Sequence, residues 1–323
     1  MKTLMETEAS PEASPEAGQA SEGRVTRGMF FHSLLRDGPT LFSMVFLFLL
    51  LFAALIGAEI WPHDAYDQSL RMRNKPPMTP SEDGSGLGHI LGTDPLGRDI
   101  AGRLMHGARV SLLVGVSGVL LSGLFGSTLG VLAGYFRGRL DDVIMRLVDL
   151  QASFPGLLLA LALLFVLGPG FFNLVLVLAL TRWMIYARVA RSMTLAYRES
   201  GFVDAAIVSG NRGGRIIRKH IVPNVKTSLL VLGTLEIAAM ILAESGLSFL
   251  GFGVQPPTPS WGLMVASGRD YLGSAWWLAT LPGIAILLTA LSLNLFANAL
   301  GSLTDPVRRS VWLISSSKKR ANK

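Results

Sequence analysis

Long apolar blocks without a single ionisable residue constrain this 323-residue chain more than any other feature. A helix that crosses a bilayer needs about 20 predominantly apolar residues, because every backbone polar group must be satisfied inside it. Residues 38–58, 110–136 and 150–181 carry no charge, and 227–247 carries only Glu236 and Glu244. A last block, 276–303, opens on Trp276-Trp277, an aromatic belt at a membrane entry. The 150–181 block is too long for one crossing and contains Gly168-Pro169-Gly170, a turn signal, so it divides into two spans. The expectation is an all-α membrane protein with six transmembrane helices. Only 16% of residues are charged, against roughly 25% in soluble domains, which disfavours a water-soluble enzyme. With no Cys, disulfides, thiolate metal sites and cysteine nucleophiles are excluded.

The basic residues set the orientation. With the N-terminus in the cytoplasm, 22 of the 29 Lys and Arg fall on the cytoplasmic side, counting the whole segment from Arg182 to Lys226. The other 7 lie outside, from Arg71 to Arg109 and at Arg269. Both termini are therefore expected in the cytoplasm. The net charge of +7 is a topology signal and calls for no nucleic acid. Residues 1–28, rich in Pro, Glu, Ser and Ala, suit a disordered tail. Residues 29–61 hold the first span, 62–109 an outer loop, 110–306 the remaining five spans, and 307–323 a basic tail.

Two loops carry the candidate function. The outer loop contains Gly92-Thr-Asp-Pro-Leu-Gly-Arg-Asp99, then a helical pattern. Its His63, His89 and His106 lack metal-ligand spacing. The cytoplasmic loop holds a short helix-competent run, Phe202 to Ser209, with Gly201 at its start and Asp204 in the first turn, where a negative charge suits the helix dipole. Gly210 supplies a turn. Arg212 to His220 reads as a second, basic helix ended by Pro223.

Within this loop, Asp204-Ala205-Ala206, then Gly210, then His220-Ile221-Val222-Pro223 resembles the EAA loop of bacterial ABC importer permeases. Asp204 replaces the usual Glu, His220 the usual Ile and Val222 the usual Leu. Further motifs are similar to the dipeptide, oligopeptide and nickel branch of that family: residues 91–99, 107–115, 154–160, 243–251 and 254–262, and Asp305-Pro306. The last helix departs from the family pattern, carrying Ala297-Asn-Ala-Leu-Gly-Ser302 where Gly-Asp-Gly-Leu-Arg-Asp is usual.

The resemblance implies the type I ABC importer (MetI-like) permease fold in a bacterial inner membrane. It also implies a homologous permease subunit, two cytoplasmic ABC ATPases and an extracytoplasmic solute-binding protein as partners, with a peptide or similar small solute as cargo. No cofactor is expected on this chain: it has no Gly-Lys dipeptide and so no Walker A loop, which leaves ATP and Mg to the partner ATPases. The loop over about residues 198–225 would dock on the ATPase. Phe202 and Ile207 would anchor it, Ala205 and Ala206 would permit close approach, and Arg215, with Arg212 and Arg218, would face acidic groups or lipid phosphate. Glu236 and Glu244 must face a cavity or a partner helix. They read either as a pathway contact or as groups hydrogen-bonded across the bundle, with Glu244 near the outer end and open to water. Residues 255–259 form a stiff outer loop, beside the binding protein or simply a rigid turn. The rival function is a self-contained secondary transporter or channel, for which no internal repeat is evident; a membrane enzyme lacks a catalytic cluster.

Overall fold

The computed structural model describes residues 37–81 and 86–304. The N-terminal tail, Asp305-Pro306 and the basic tail lie outside the described residues. The first helix, α1 (Gly38–Phe52), starts on Asp37, whose carboxylate accepts from the Thr40 amide at 3.3 Å. It continues through a π-turn, Ala53–Gly57, to Ile60. Then follow α2 (Ile100–Phe136), α3 (Gly138–Ala152), α4 (Gly156–Leu167) and α5 (Phe171–Arg198). A short helix, α6 (Gly201–Val208), leads into α7 (Gly213–Phe249), and α8 (Trp261–Gly268) and α9 (Trp277–Thr304) complete the chain.

Five of these helices are long and apolar enough to cross a membrane; α3 and α4, bent by 90° at their break, meet that length and apolarity only as a pair. The bend has a local cause. Pro155 has no amide hydrogen and disfavours helix at the residue before it, so the chain breaks between Ala152 and Gly156. At 12 residues, α4 is about 18 Å long and cannot cross by itself.

Several boundaries move from where charge alone places them: the third span is reached only with α3 and so starts at Gly138, and the fifth lies in a helix that starts at Gly213. The second span begins ten residues earlier, at Ile100, which makes α2 37 residues and about 55 Å long. The fourth runs past the first arginine and keeps Arg182, Arg188 and Arg191 within α5. Arg182 is thus no part of the cytoplasmic loop. Glu236 of α7 lies 3.5 Å from it.

The bundle is held by α2 lying along α5, with α7 against both and α9 packed on α7, α8 and α1. The α2–α5 contact is a small-residue seam. A Cβ added at Gly126 would lie 2.2 Å from the Trp183 carbonyl oxygen, and one at Gly130 would lie 2.3 Å from that of Ala187. The backbones therefore touch, which is how helices associate where burial of apolar surface from water gives no drive.

At the outer end, the 92–99 motif is a folded knot that starts α2. Asp99 caps the helix, its Oδ2 accepting from the Gly102 amide at 2.8 Å and from Trp61 Nε1 at 2.8 Å. His89 Nδ1 meets its Oδ1 at 2.8 Å. Asp94 accepts from the amides of Leu96 and Arg98 and from Arg98 Nε. Trp277 Nε1 of α9 donates to the Thr93 carbonyl at 3.2 Å. Asp99→Ala removes a cap, a buried bond to His89 and a part-buried one to Trp61. It should destabilise the chain by about 2–4 kcal/mol, since a lost cap costs about 1 kcal/mol and the orphaned buried His89 about 1–3. Thermal unfolding in detergent reads this directly, and an unchanged midpoint would remove Asp99 from the list of structural residues.

Candidate functional site

At the cytoplasmic end the chain leaves α5, turns once through α6 and re-enters the membrane as α7. Ser200, in extended conformation, precedes α6, and its hydroxyl donates to the Tyr197 carbonyl. Gly201 is the first helical residue, not the cap, and Asp204 sits in the first turn. At the other end the Gly210 amide donates to Ile207 O at 2.9 Å and the Asn211 amide to Ala206 O at 3.1 Å. That pair of bonds is a Schellman cap, which requires a left-handed residue, and Gly210 has φ +77°.

The faces of α6 are clearly divided. Val203 and Ala206 are buried, three residues apart, against Val131, Ala190, Ile216, Ile221 and Val225. On the opposite side Phe202 is 44% exposed, Ile207 51% and Val208 89%, with Asp204 and Ala205 also exposed. Ala206 therefore provides close approach to its own bundle, and an outside partner would meet Ala205 only. Phe202 is steadied from both flanks, its ring centroid 6.3 Å from Tyr197 and 6.5 Å from His220. The loop is braced on the rest of the chain by Arg137–Glu199 at 2.6 Å and by the Arg198 guanidinium over the Tyr135 ring.

Pro223 does not end a helix. Residues 213–249 form one continuous helix, and the proline lies just beyond a π-turn, Ile217–Ile221. There the Val222 amide reaches back to the Ile217 carbonyl, five residues earlier. That shift of register lets a residue without an amide hydrogen be accommodated. The turn puts Ile216 and Ile221 inward while Arg212, Arg215, Arg218 and Lys219 stay exposed. No ion pair involves these four among the described residues.

Within the spans, Glu244 is fully buried, and no water reaches it from the outer end. It accepts from Ser248 Oγ at 2.7 Å, Ser111 Oγ at 3.3 Å and Ser245 Oγ at 3.4 Å, which ties α7 to α2. Glu236, also buried, faces Arg182 at 3.5 Å. The 255–259 segment leads to Ser260, which caps α8 by accepting from the Leu263 amide, and to Trp261, whose Nε1 donates to Leu104 O at 3.0 Å. The sequence does not single out the serines around Glu244. Ser245 and Ser248 at spacings of one and four were the available signal; Ser111, 133 residues away, gave none.

Residues 126–310 match the family model of the binding-protein-dependent transport system inner membrane component, more than half of the chain. Residues 27–77 match that of the N-terminal transmembrane domain of oligopeptide transport permease C. The chain belongs to the inner-membrane permeases of binding-protein-dependent transport systems. Among its relatives is the di/tripeptide transport system permease DppC of Pseudomonas aeruginosa (strain UCBPP-PA14), 39% identical over 86% of this chain and 91% of that one. The probable D,D-dipeptide permease DdpC of Escherichia coli K12 is 38% identical over 84% and 89%. The glutathione permease GsiD of Pectobacterium atrosepticum is 35% identical over 87% and 91%. The fold is that of a chain of the methionine ABC transporter MetNI, solved in inward-facing form. The TM-score is 0.51 at 16% identity, with 64% of this chain and 95% of that one covered. The chain is accordingly an inner-membrane permease subunit of a transport system.

Proposed function

We propose that this permease forms half of the translocation pathway of a peptide importer and is moved by a partner ATPase through α6. The observation that carries the proposal is the divided surface of α6. Two inward residues lock it to the bundle, while Phe202, Ile207 and Val208 stand out on a rigid elbow whose two ends lead directly into α5 and α7. Exposed large apolar side chains on a braced projection at the cytoplasmic end suit a groove on another protein. A load applied there is carried into two membrane helices at once, as rigid-body alternating access requires. The exposed Arg212, Arg215 and Arg218 add a positive rim for acidic groups or lipid phosphate.

The names of the relatives point to di- and tripeptides or similar small solutes as cargo. The full assembly would hold a homologous permease subunit, two ATPases carrying ATP and Mg, and an extracytoplasmic binding protein. The permease itself contributes positioning and a gate, with no bound cofactor and no catalytic residue.

Complex isolated from native membranes should contain an ATPase. Gly210→Val should weaken that association about tenfold. A branched residue at φ +77° is strained, and the cap that orients the end of α6 is lost, together costing about 1–2 kcal/mol. Parental ATPase recovery with Gly210→Val would remove the elbow from the docking surface. Ion-gradient-driven transport by the permease alone in liposomes would overturn the importer reading as a whole.

A further inference from the structure

Arg182 and Glu236 form a charge pair deep in the membrane, and its geometry is unlike that of a structural brace. Arg182 is the twelfth residue of α5, about 17 Å from its outer end, and Glu236 lies about 20 Å from the outer end of α7. Counted from those ends, both lie about halfway through a hydrocarbon thickness of roughly 30 Å. They touch only once, Nη1 to Oε2, at 3.5 Å. Arg191, by contrast, grips Asp141 through two bonds of 2.5 and 2.6 Å.

The loose pair leaves donors and acceptors unused. The Arg182 side chain is 31% exposed on the surface of the chain, and a guanidinium at mid-membrane depth does not face lipid. One turn along α5, Tyr186 is 98% buried, yet its hydroxyl has no hydrogen-bond partner. That hydroxyl points toward α7 one turn before Glu236, since a Cβ built on Gly233 would lie 3.7 Å from it. A cation, an anion and an orphaned hydroxyl thus lie within about a turn of one another on two facing spans.

We infer that Arg182, Glu236 and Tyr186 form a way-station on the translocation path for the charged ends of a peptide. Arg182 takes the α-carboxylate, Glu236 the α-ammonium, and the Tyr186 hydroxyl bonds to the peptide backbone. A zwitterion is the ligand such a pair can admit without leaving a charge alone in the membrane, because the arriving charges replace the ones that separate. This assignment rests on the peptide-importer reading above.

The natural absence of cysteine makes the test direct. Arg182→Cys, in the complete complex with partner permease, ATPases and binding protein in proteoliposomes, should react on this chain with a membrane-impermeant methanethiosulfonate. Dialanine delivered by the binding protein, its ammonium still taken by Glu236, should slow that reaction at least twofold. A cysteine inert in both the nucleotide-free and the ATP-trapped complex would place Arg182 in a closed subunit contact and overturn the inference. In a second variant, Arg182→Met with Glu236→Gln, no charge is left unpaired. The complex should assemble and keep its binding-protein-stimulated ATP hydrolysis, while dialanine uptake falls about tenfold. Parental uptake would overturn the inference. If the parent complex imports no peptide at all, the peptide reading falls and this assignment with it. Parental uptake beside an inert Arg182→Cys removes this assignment alone.

Discussion

Ile207→Ser combined with Val208→Ser should release the ATPase from the complex while leaving the permease folded. The two side chains are 51% and 89% exposed, so neither contributes much to the interior. Substitutions at such positions usually change stability by no more than about 0.5 kcal/mol. If they fill a groove on the ATPase, each loses the benefit of burying a branched aliphatic side chain, about 1.5–3 kcal/mol. The pair then weakens docking by about a hundredfold or more, at 1.4 kcal/mol per factor of ten. Val203→Asp supplies the contrast. Val203 is fully buried beside Ala190 and Ile216, so a carboxylate there should unfold the elbow and lower the melting temperature of the permease itself. Affinity of purified ATPase for the detergent-solubilised permease, measured beside thermal unfolding, separates the two effects. ATPase binding to the double serine variant at parental strength would show that the exposed face of α6 is not where the motor docks.

The second large effect is expected far from any partner. Gly130→Leu should prevent the bundle from forming, because even its first carbon would lie 2.3 Å from the Ala187 carbonyl oxygen. That neighbour is backbone on α5 and has no rotamer to change, so the two helices must separate. Separation also strips contacts from Gly126, whose own added carbon would lie 2.2 Å from Trp183 O. It further strains the bond from Trp183 Nε1 to Gln151 Oε1 at 2.7 Å, which ties α3 to α5. Overpacking ordinarily costs about 1–3 kcal/mol, and a clash with backbone along a whole seam belongs at or above the upper end. Gly246→Ala is the matched reference: nothing lies within 4 Å of its added carbon, and alanine favours helix by about 1 kcal/mol. Size-exclusion profiles in mild detergent should show monodisperse protein for Gly246→Ala and none for Gly130→Leu. A parental profile for Gly130→Leu would mean that the α2–α5 seam is not close-packed.

Much of the architecture was legible because its signals are local. The charge-free blocks around residues 38–58, 110–136 and 276–303 mark membrane helices, since bilayer thickness sets their length. Gly168-Pro169-Gly170 separates α4 from α5 as its turn chemistry requires. The helix over residues 202–208 and the turn at Gly210 could be read from composition and spacing. Arg182 could not, because a charge looks like the end of a span until its partner 54 residues later is known. The early start of α2 was obscured in the same way: Arg103 and Arg109 look like loop residues. In the fold Arg103 reaches the Ala65 carbonyl, and Arg109 reaches Glu59 and the Ala54 carbonyl. Pro223 misled because a proline normally stops a helix, and only the π-turn before it permits continuation.

The amino-acid order by itself determined the class of protein, the approximate spans, the basic bias between the two sides and the presence of a small cytoplasmic elbow. Each of these follows from interactions within a turn or two of chain, or between one segment and the bilayer. The tertiary structure alone decided which face of α6 looks outward, that Glu244 is sealed among serines from distant parts of the chain, and that Arg182 and Glu236 face each other between two spans. Those outcomes depend on helices brought together from distant parts of the chain. In a low-dielectric interior a polar group is tolerated only where such a neighbour meets it.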